Sequence, residues 1–230
     1  MEISGLIKTS LIDFPGKIAA VVFTQGCNFQ CGFCHNPDLI PMKKGNISED
    51  KVFEYLNTRK GKLDGVVITG GEPIIHEGLE DFIKSIRKLG FAIKLDTNGS
   101  NPVKLQSLLD KNLIDYVAMD IKGSLGAYPK ISKYLNKNVI QESIKIIISS
   151  GVEYEFRTTV LPYYHKLSDF QTIGKLLDGA KAYTIQGFRS QITLDKKLKT
   201  EASFSMNELG EIRKIMAAHV SKVVIHENLS

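Results

Sequence analysis

Short apolar runs alternate with amphipathic stretches along almost the whole chain, and no other feature constrains its fold as tightly. Strands are predicted at residues 18–24, 65–69, 91–95, 116–120, 154–161, 183–186 and 222–226. The intervals between them carry helix punctuation. Ser48 precedes Glu49 and Asp50, Asn101 precedes Pro102, and Ser168 with Gln171 and Ser205 with Glu208 have the capping-box spacing. Gly90 and Gly151 stand where helices should stop, each just ahead of a strand. Repeated strand and helix calls for a parallel sheet with helical crossovers, either an open doubly wound sheet or a whole or partial barrel. Before the first unit, residues 1–14 read as a hairpin or strand arm turned by Pro15-Gly16. A chain of 230 residues, 43% hydrophobic, is expected to form one domain over 1–230, with an N-terminal arm at 1–17 and a C-terminal extension at 187–230. Its core is large enough to need neither disulfide nor metal for stability.

The three cysteines therefore need another explanation, and all lie in one short segment, Cys27-Asn28-Phe29-Gln30-Cys31-Gly32-Phe33-Cys34. A tetrahedral zinc ion would want a fourth ligand, and adjacent Cys34 and His35 are badly placed to share one ion. Haem attachment through Cys31-Gly32-Phe33-Cys34-His35 would leave Cys27 idle, and a thioredoxin-like pair would also use only two thiols. A four-iron cluster held by three cysteines keeps one iron open, the requirement for chemistry at the cluster rather than electron storage.

The net charge of +5 is dispersed, with no dense basic stripe interleaved with aromatics, so nucleic acid is not an expected partner. No apolar run reaches the roughly 18 residues of a membrane span. The start at Met1-Glu2, without a long apolar stretch, and the poor lipoprotein-type cleavage sequence before Cys27 lead to a cytoplasmic expectation.

Other polar motifs fall at predicted strand ends. Gly70-Gly71-Glu72-Pro73 follows the second strand, Asp96-Thr97-Asn98-Gly99 the third, and Asp120-Ile121-Lys122 the fourth. In a barrel these segments and the cysteine loop would meet at one face. Each also has a plainer reading. Gly70-Gly71 makes a tight turn or lets backbone approach a ligand, Asp96 and Asn98 make Asx turns or bond a cofactor, and Asp120 and Lys122 form a structural ion pair or a binding pair. Arg157 is either a surface charge or a ligand contact. His76, His165, His219 and His226 show no ligand spacing and read as structural or exposed.

The Cys-x3-Cys-x2-Cys spacing, with Phe33 before the last cysteine, resembles the signature of the radical S-adenosylmethionine enzymes. The stretches Gly5-Leu-Ile-Lys-Thr-Ser-Leu-Ile-Asp-Phe-Pro-Gly16, Val21-Val-Phe-Thr-Gln-Gly-Cys27 and Cys34-His-Asn-Pro-Asp38 resemble the activating proteins of glycyl-radical enzymes. Within these the chain is most similar to activating proteins of anaerobic ribonucleoside-triphosphate reductase, with pyruvate formate-lyase activating enzymes as relatives. The resemblance spans residues 3–190 and leaves the rest of the chain unassigned.

It implies an α/β fold, an incomplete (β/α)6 TIM-like barrel with a parallel sheet, open on one side. It also implies a 4Fe-4S cluster on Cys27, Cys31 and Cys34, with S-adenosylmethionine at the open iron. Reductive cleavage would yield methionine and a 5′-deoxyadenosyl radical, which takes a hydrogen atom from a glycine of the partner enzyme. Phe33 and His35 would line the adenine side. Gly70, Gly71, Glu72, Asp120 and Lys122 would hold the methionyl end, the lysine meeting the carboxylate, with Asp96, Asn98 and Arg157 as further contacts. Some relatives place a histidine on the sixth strand where this chain has Gln186. Residues 123–138, with Tyr128, Lys130, Lys133, Tyr134 and Lys137, are the expected docking segment for a glycine loop, and a flavodoxin or ferredoxin the electron donor. With every cysteine used by one cluster, no auxiliary cluster is expected. Two alternatives stand beside this one. One is a small-molecule radical enzyme of the 7-carboxy-7-deazaguanine synthase type, against which Cys34-His35-Asn36-Pro37 speaks; the other is a non-enzymatic iron-sulfur or zinc module.

Overall fold

The computed structural model describes residues 1–226, so the last four residues of the expected C-terminal extension lie outside the described part. Among the described residues, eight strands form one sheet in sequence order: β1 (Ile3–Ser10), β2 (Ala19–Thr24), β3 (Gly65–Gly70), β4 (Ala92–Thr97), β5 (Tyr116–Asp120), β6 (Glu153–Val160), β7 (Ala182–Gly187) and β8 (Lys222–His226). The arm strand β1 runs antiparallel to β2, and every later pair of neighbours is parallel. Because each parallel strand is added on the same side of the last, right-handed crossovers place every helix on one face. A doubly wound sheet would instead reverse its order part-way. The partial barrel is therefore the alternative realised. Six strand-helix units begin at β2 through β7, and the C-terminal extension contributes β8 at the far edge. Among the described residues β1 and β8 are the sheet's two free edges, so the barrel stays open.

The crossovers are α1 (Glu49–Asn57), α2 (Leu79–Lys88), α3 (Pro102–Asp110), α4 (Tyr128–Ser132), α5 (Lys137–Ser149), α6 (Leu167–Leu176) and α7 (Met206–Met216). Ser48 caps α1 by accepting from the Lys51 N–H, Asn101 caps α3, and Ser205 and Glu208 form a reciprocal capping box on α7. Gly90 and Gly151 follow α2 and α5 with φ of +92° and +78°, the left-handed region in which a side chain is disfavoured. The start of α6 departs from expectation. Ser168 lies inside the helix, and Asp169 accepts the main-chain N–H of Lys166 at 2.8 Å, which starts the helix two residues earlier.

Strand alternation sorts side chains into two environments. Ala20, Val22, Val66, Ile68, Ile93, Leu95, Val117, Met119, Phe156 and Ile185 join the helices in the main apolar core. The other face is smaller and mixed. Phe14, from the arm, packs with Ala19, Val21 and Val67 at the end where the parallel strands begin. Further along the same face the side chains become polar, and that change positions the site.

Candidate active site

The cysteine loop leaves the C-terminal end of β2 and is anchored along its length by backbone hydrogen bonds. The N–H groups of Gly26 and Cys27 donate to the carbonyls of Leu39 and Ile40 at 2.7 and 3.0 Å. Those of Gln30 and Gly32 donate to the last carbonyls of α4, Ser132 and Ile131, at 2.9 and 3.3 Å. The Asp195 N–H donates to the Gly32 carbonyl at 2.9 Å, so the C-terminal extension straps the loop from the far side. Phe188 of the same extension stacks on His35, and the Arg189 N–H donates to His35 Nε2 at 3.4 Å.

All three cysteines are free thiols. Burial pushes Cys27 up to about 12 and Cys31 up to about 11, and raises Cys34 as well, so without metal they hold their protons. The nearby Lys122 charge works the other way at each. Iron binding must therefore displace protons, and Lys122 assists that. Among the described residues no three His, Cys, Asp or Glu side chains converge on one point that would hold a single metal ion. Soft thiolates spread around a turn suit an iron-sulfur cluster, in which each thiolate takes a separate iron corner.

The loop forms one wall of an open cleft of about 230 Å³. Every candidate residue lines it: Cys27, Cys31, Phe33, Cys34 and His35 from the loop, Gly70, Gly71 and Glu72 at and after the end of β3, Asp96 and Asn98 at and after the end of β4, Asp120 from the end of β5 and Lys122 just beyond it, Arg157 from β6 and Gln186 from β7.

A chain of alternating charge crosses the cleft floor. Lys94 Nζ meets Asp96 Oδ1 at 2.6 Å, Asp96 Oδ2 meets Arg157 Nη1 at 3.3 Å, Arg157 Nε meets Asp120 Oδ1 at 3.0 Å, and Asp120 Oδ2 meets Lys122 Nζ at 3.0 Å. Lys122 Nζ also lies 5.9 Å from the centre of the Phe33 ring. Burial would push Asp120 up, but Arg157 and Lys122 outweigh it and hold the carboxyl at about 2. Against burial, Asp120 keeps Lys122 and Arg157 above their ordinary ranges, so both stay cationic. Arg157 is thus no surface charge. Asp96 makes no Asx turn, its carboxylate being taken by Lys94 and Arg157; Asn98 does make one, accepting the Ser100 N–H at 2.9 Å.

Glu72 is buried and uses both oxygens inside the protein. Oε1 accepts from the Ile74 N–H and the Thr97 hydroxyl at 3.1 and 2.7 Å, and Oε2 from the Asn98 N–H at 2.6 Å. Burial outweighs these bonds and pushes its carboxyl up to about 7. Its carboxylate therefore ties the end of β3 to the end of β4 instead of pointing freely at a ligand. The glycines before it have a similar local reason. Gly70 has φ +114°, and a Cβ on Gly71 would stand 2.1 Å from the Gly26 carbonyl oxygen.

The expected docking segment, 123–138, needs correction at Tyr128, which is fully buried with its hydroxyl accepting the Lys122 N–H at 3.2 Å. Tyr134 packs on Phe29 with ring centres 4.4 Å apart. Lys130 and Lys133 are exposed, Lys130 lying over the rings of Tyr163 and Tyr164. His165 is buried and structural, and His219 pairs with Asp178 at the surface, Nδ1 to Oδ1 2.9 Å. Phe29, Asn36, Ile40, Thr69, Thr97 and Thr159 also line the cleft and were not singled out from sequence. Thr159 was legible in principle, two residues after Arg157 on one strand face.

Three comparisons bear on this site. A family model described as "Radical SAM superfamily" matches residues 21–177. The chain is similar to a protein of Methanocaldococcus jannaschii provisionally named a glycyl-radical enzyme activating enzyme, with 32% identity over 97% of this chain and 95% of that one. It is also similar to the pyruvate formate-lyase-activating enzyme of Clostridium pasteurianum, with 30% identity over 70% of this chain and 69% of that one. Among solved structures, Streptococcus suis SuiB bound to S-adenosylmethionine shares the fold with a TM-score of 0.68 at 12% identity, over 89% of this chain and 48% of that one.

Proposed function

The chain belongs to the radical SAM superfamily, among the glycyl-radical enzyme activating enzymes, and from that premise we propose that it activates a partner enzyme by generating a glycyl radical on it. The observation that carries this reading is a cleft walled by three thiols and no fourth, with a fixed cation, Lys122, facing them across it. Cys27, Cys31 and Cys34 would hold the 4Fe-4S cluster. When bound, the reduced cluster and S-adenosylmethionine would supply the one-electron chemistry needed to take a hydrogen atom from the partner's glycine.

The chain's own residues then have positional work. Lys122 neutralises the methionyl carboxylate, held at its place by Asp120. Arg157 anchors Asp120 from below and keeps that carboxylate ionised. The absent side chain of Gly71 lets the strand end close against Gly26, while Glu72 holds the β3 and β4 ends together. Phe33 and His35 line the adenine side, His35 kept neutral by burial and by the Arg189 charge. Gln186 stands on the sixth parallel strand. The strap from Phe188 to Asp195 limits water at the cysteine loop, which protects a reactive intermediate.

A groove lined by Ser4, Gly5, Phe23, Pro37, Leu39 and Ile192 shares His35 and Asn36 with the cleft and offers a path for an extended glycine segment. Anaerobic ribonucleoside-triphosphate reductase is the partner we favour, on the resemblance of residues 5–38. Pyruvate formate-lyase is the second reading, favoured by the Clostridium relative. A flavodoxin or ferredoxin fits as electron donor. The test is anaerobic: protein reconstituted with iron and sulfide, reduced and given S-adenosylmethionine, releases 5′-deoxyadenosine, and the Cys31→Ala variant does not. An intact cluster that releases none, with or without candidate partners, would refute the proposal.

A further inference from the structure

Lys122 lies beyond the last residue of β5, where the sheet no longer holds the main chain. The final ladder contact is the Ile121 N–H to the Arg157 carbonyl at 2.7 Å. Two buried side chains take over. The Lys122 N–H donates to the Tyr128 hydroxyl at 3.2 Å, and its carbonyl lies 2.9 Å from His165 Nε2. The other ring nitrogen, Nδ1, accepts the Leu161 N–H at 3.2 Å. A main-chain N–H only donates, so Nδ1 carries no proton and Nε2 must. His165 is then a neutral ring donating to the Lys122 carbonyl, which bridges the ends of β5 and β6; burial, lowering its pKa, favours the same form.

Tyr128 opens α4, the helix whose Ile131 and Ser132 carbonyls accept from the cysteine loop, and its ring meets Phe29 of that loop edge-on at 6.3 Å. One short helix thus holds both the loop and the lysine.

From this we infer that His165 and Tyr128 are positioning residues that set the Lys122 ammonium relative to the cysteine loop, without touching ligand themselves. The inference rests on the proposed role of Lys122 as the carboxylate contact.

The test compares two unreactive ligands on cluster-loaded, unreduced protein by anaerobic equilibrium dialysis. S-adenosylhomocysteine has the amino-acid carboxylate, and 5′-methylthioadenosine lacks it. His165→Phe and Tyr128→Phe should each weaken S-adenosylhomocysteine roughly 10-fold, the low end for losing an orienting partner, and leave methylthioadenosine unchanged. His165→Gln, whose amide can donate to the same carbonyl, should recover most of the loss. Tyr128→Phe keeps the buried ring, so it carries the test if His165→Phe does not fold. Equal weakening of both ligands, or of neither, overturns the positioning role. Lys122→Met separates the two claims. If it fails to discriminate between the ligands, the carboxylate role of Lys122 falls; if it discriminates and the other variants do not, only the positioning role falls.

Discussion

Gly71→Ala places a methyl group where the chain has no room. Its Cβ would lie 2.1 Å from the Gly26 oxygen, 2.7 Å from the Gly26 carbon and 2.9 Å from the Leu39 oxygen, all backbone atoms that no rotamer change can move. Restoring an ordinary contact of ~3.5 Å requires roughly 1.4 Å of separation between the turn after β3 and the segment entering the cysteine loop. That shift breaks the Glu72 N–H bond to the Gly26 carbonyl, now 2.8 Å. The lost hydrogen bond costs about 1 kcal/mol and the overpacking about 1–3 kcal/mol. At about 2–4 °C per kcal/mol for a chain of this size, the melting temperature should fall by roughly 5–15 °C. Because Gly26 adjoins Cys27, iron and sulfide content after reconstitution should fall as well. Gly179→Ala is the control. Its φ is +81° but nothing lies within 4 Å of the new Cβ, so it should cost only ~1–2 kcal/mol of backbone strain and load iron normally. Thermal unfolding of the cofactor-free proteins and iron assays on reconstituted ones decide the matter. A Gly71→Ala protein with unchanged melting temperature and full iron would refute the reasoning.

Other outcomes follow from the same geometry. Glu72 has its folded-state carboxyl raised from 4.5 to about 7, so its contribution to stability is fully present below about 4.5 and is lost as pH rises through 7. Relative to Glu72→Gln, the cofactor-free protein should lose on the order of 3 kcal/mol between those limits, measured by urea unfolding across pH; a flat difference would contradict the buried-acid assignment. Arg157→Met leaves Asp96 and Asp120 without their shared cation, and denaturant unfolding should show a loss of about 3–5 kcal/mol. Charge reversal at Lys130 and Lys133 should weaken activation of the partner while leaving uncoupled cleavage of S-adenosylmethionine unchanged, and equal loss of both would remove the docking role of these lysines.

Much of this was legible from local pattern. The strands, the Ser48, Asn101 and Ser205 caps and the left-handed Gly90 and Gly151 depend on neighbours a few residues away; the caps and glycines stand where the sequence puts them, and the ends of the parallel strands fall within two residues of their expected places. What escaped depends on register or on distant chain. Asp96 and Arg157 are 61 residues apart, and their pairing follows only from the alignment of β4, β5 and β6. Ser168 was misread because the α6 box uses the Asp169 carboxylate with a main-chain donor. Tyr128 looked like an exposed loop aromatic, yet its short helix is pressed beneath the cysteine loop. The strap over that loop has no periodicity, and its Asp195 contact with Gly32 links residues far apart in sequence.

The central claim is that the hydrogen atom comes from a glycine of a protein partner. Anaerobic ribonucleoside-triphosphate reductase and pyruvate formate-lyase, each prepared with α-deuterated glycine, should be incubated with the reduced, cluster-loaded protein and S-adenosylmethionine. The account predicts deuterium in the 5′-deoxyadenosine and a carbon-centred radical on one of the two partners by electron paramagnetic resonance. Cleavage with no deuterium transfer from either protein, and label arriving instead from a deuterated nucleobase-like small molecule, would contradict it.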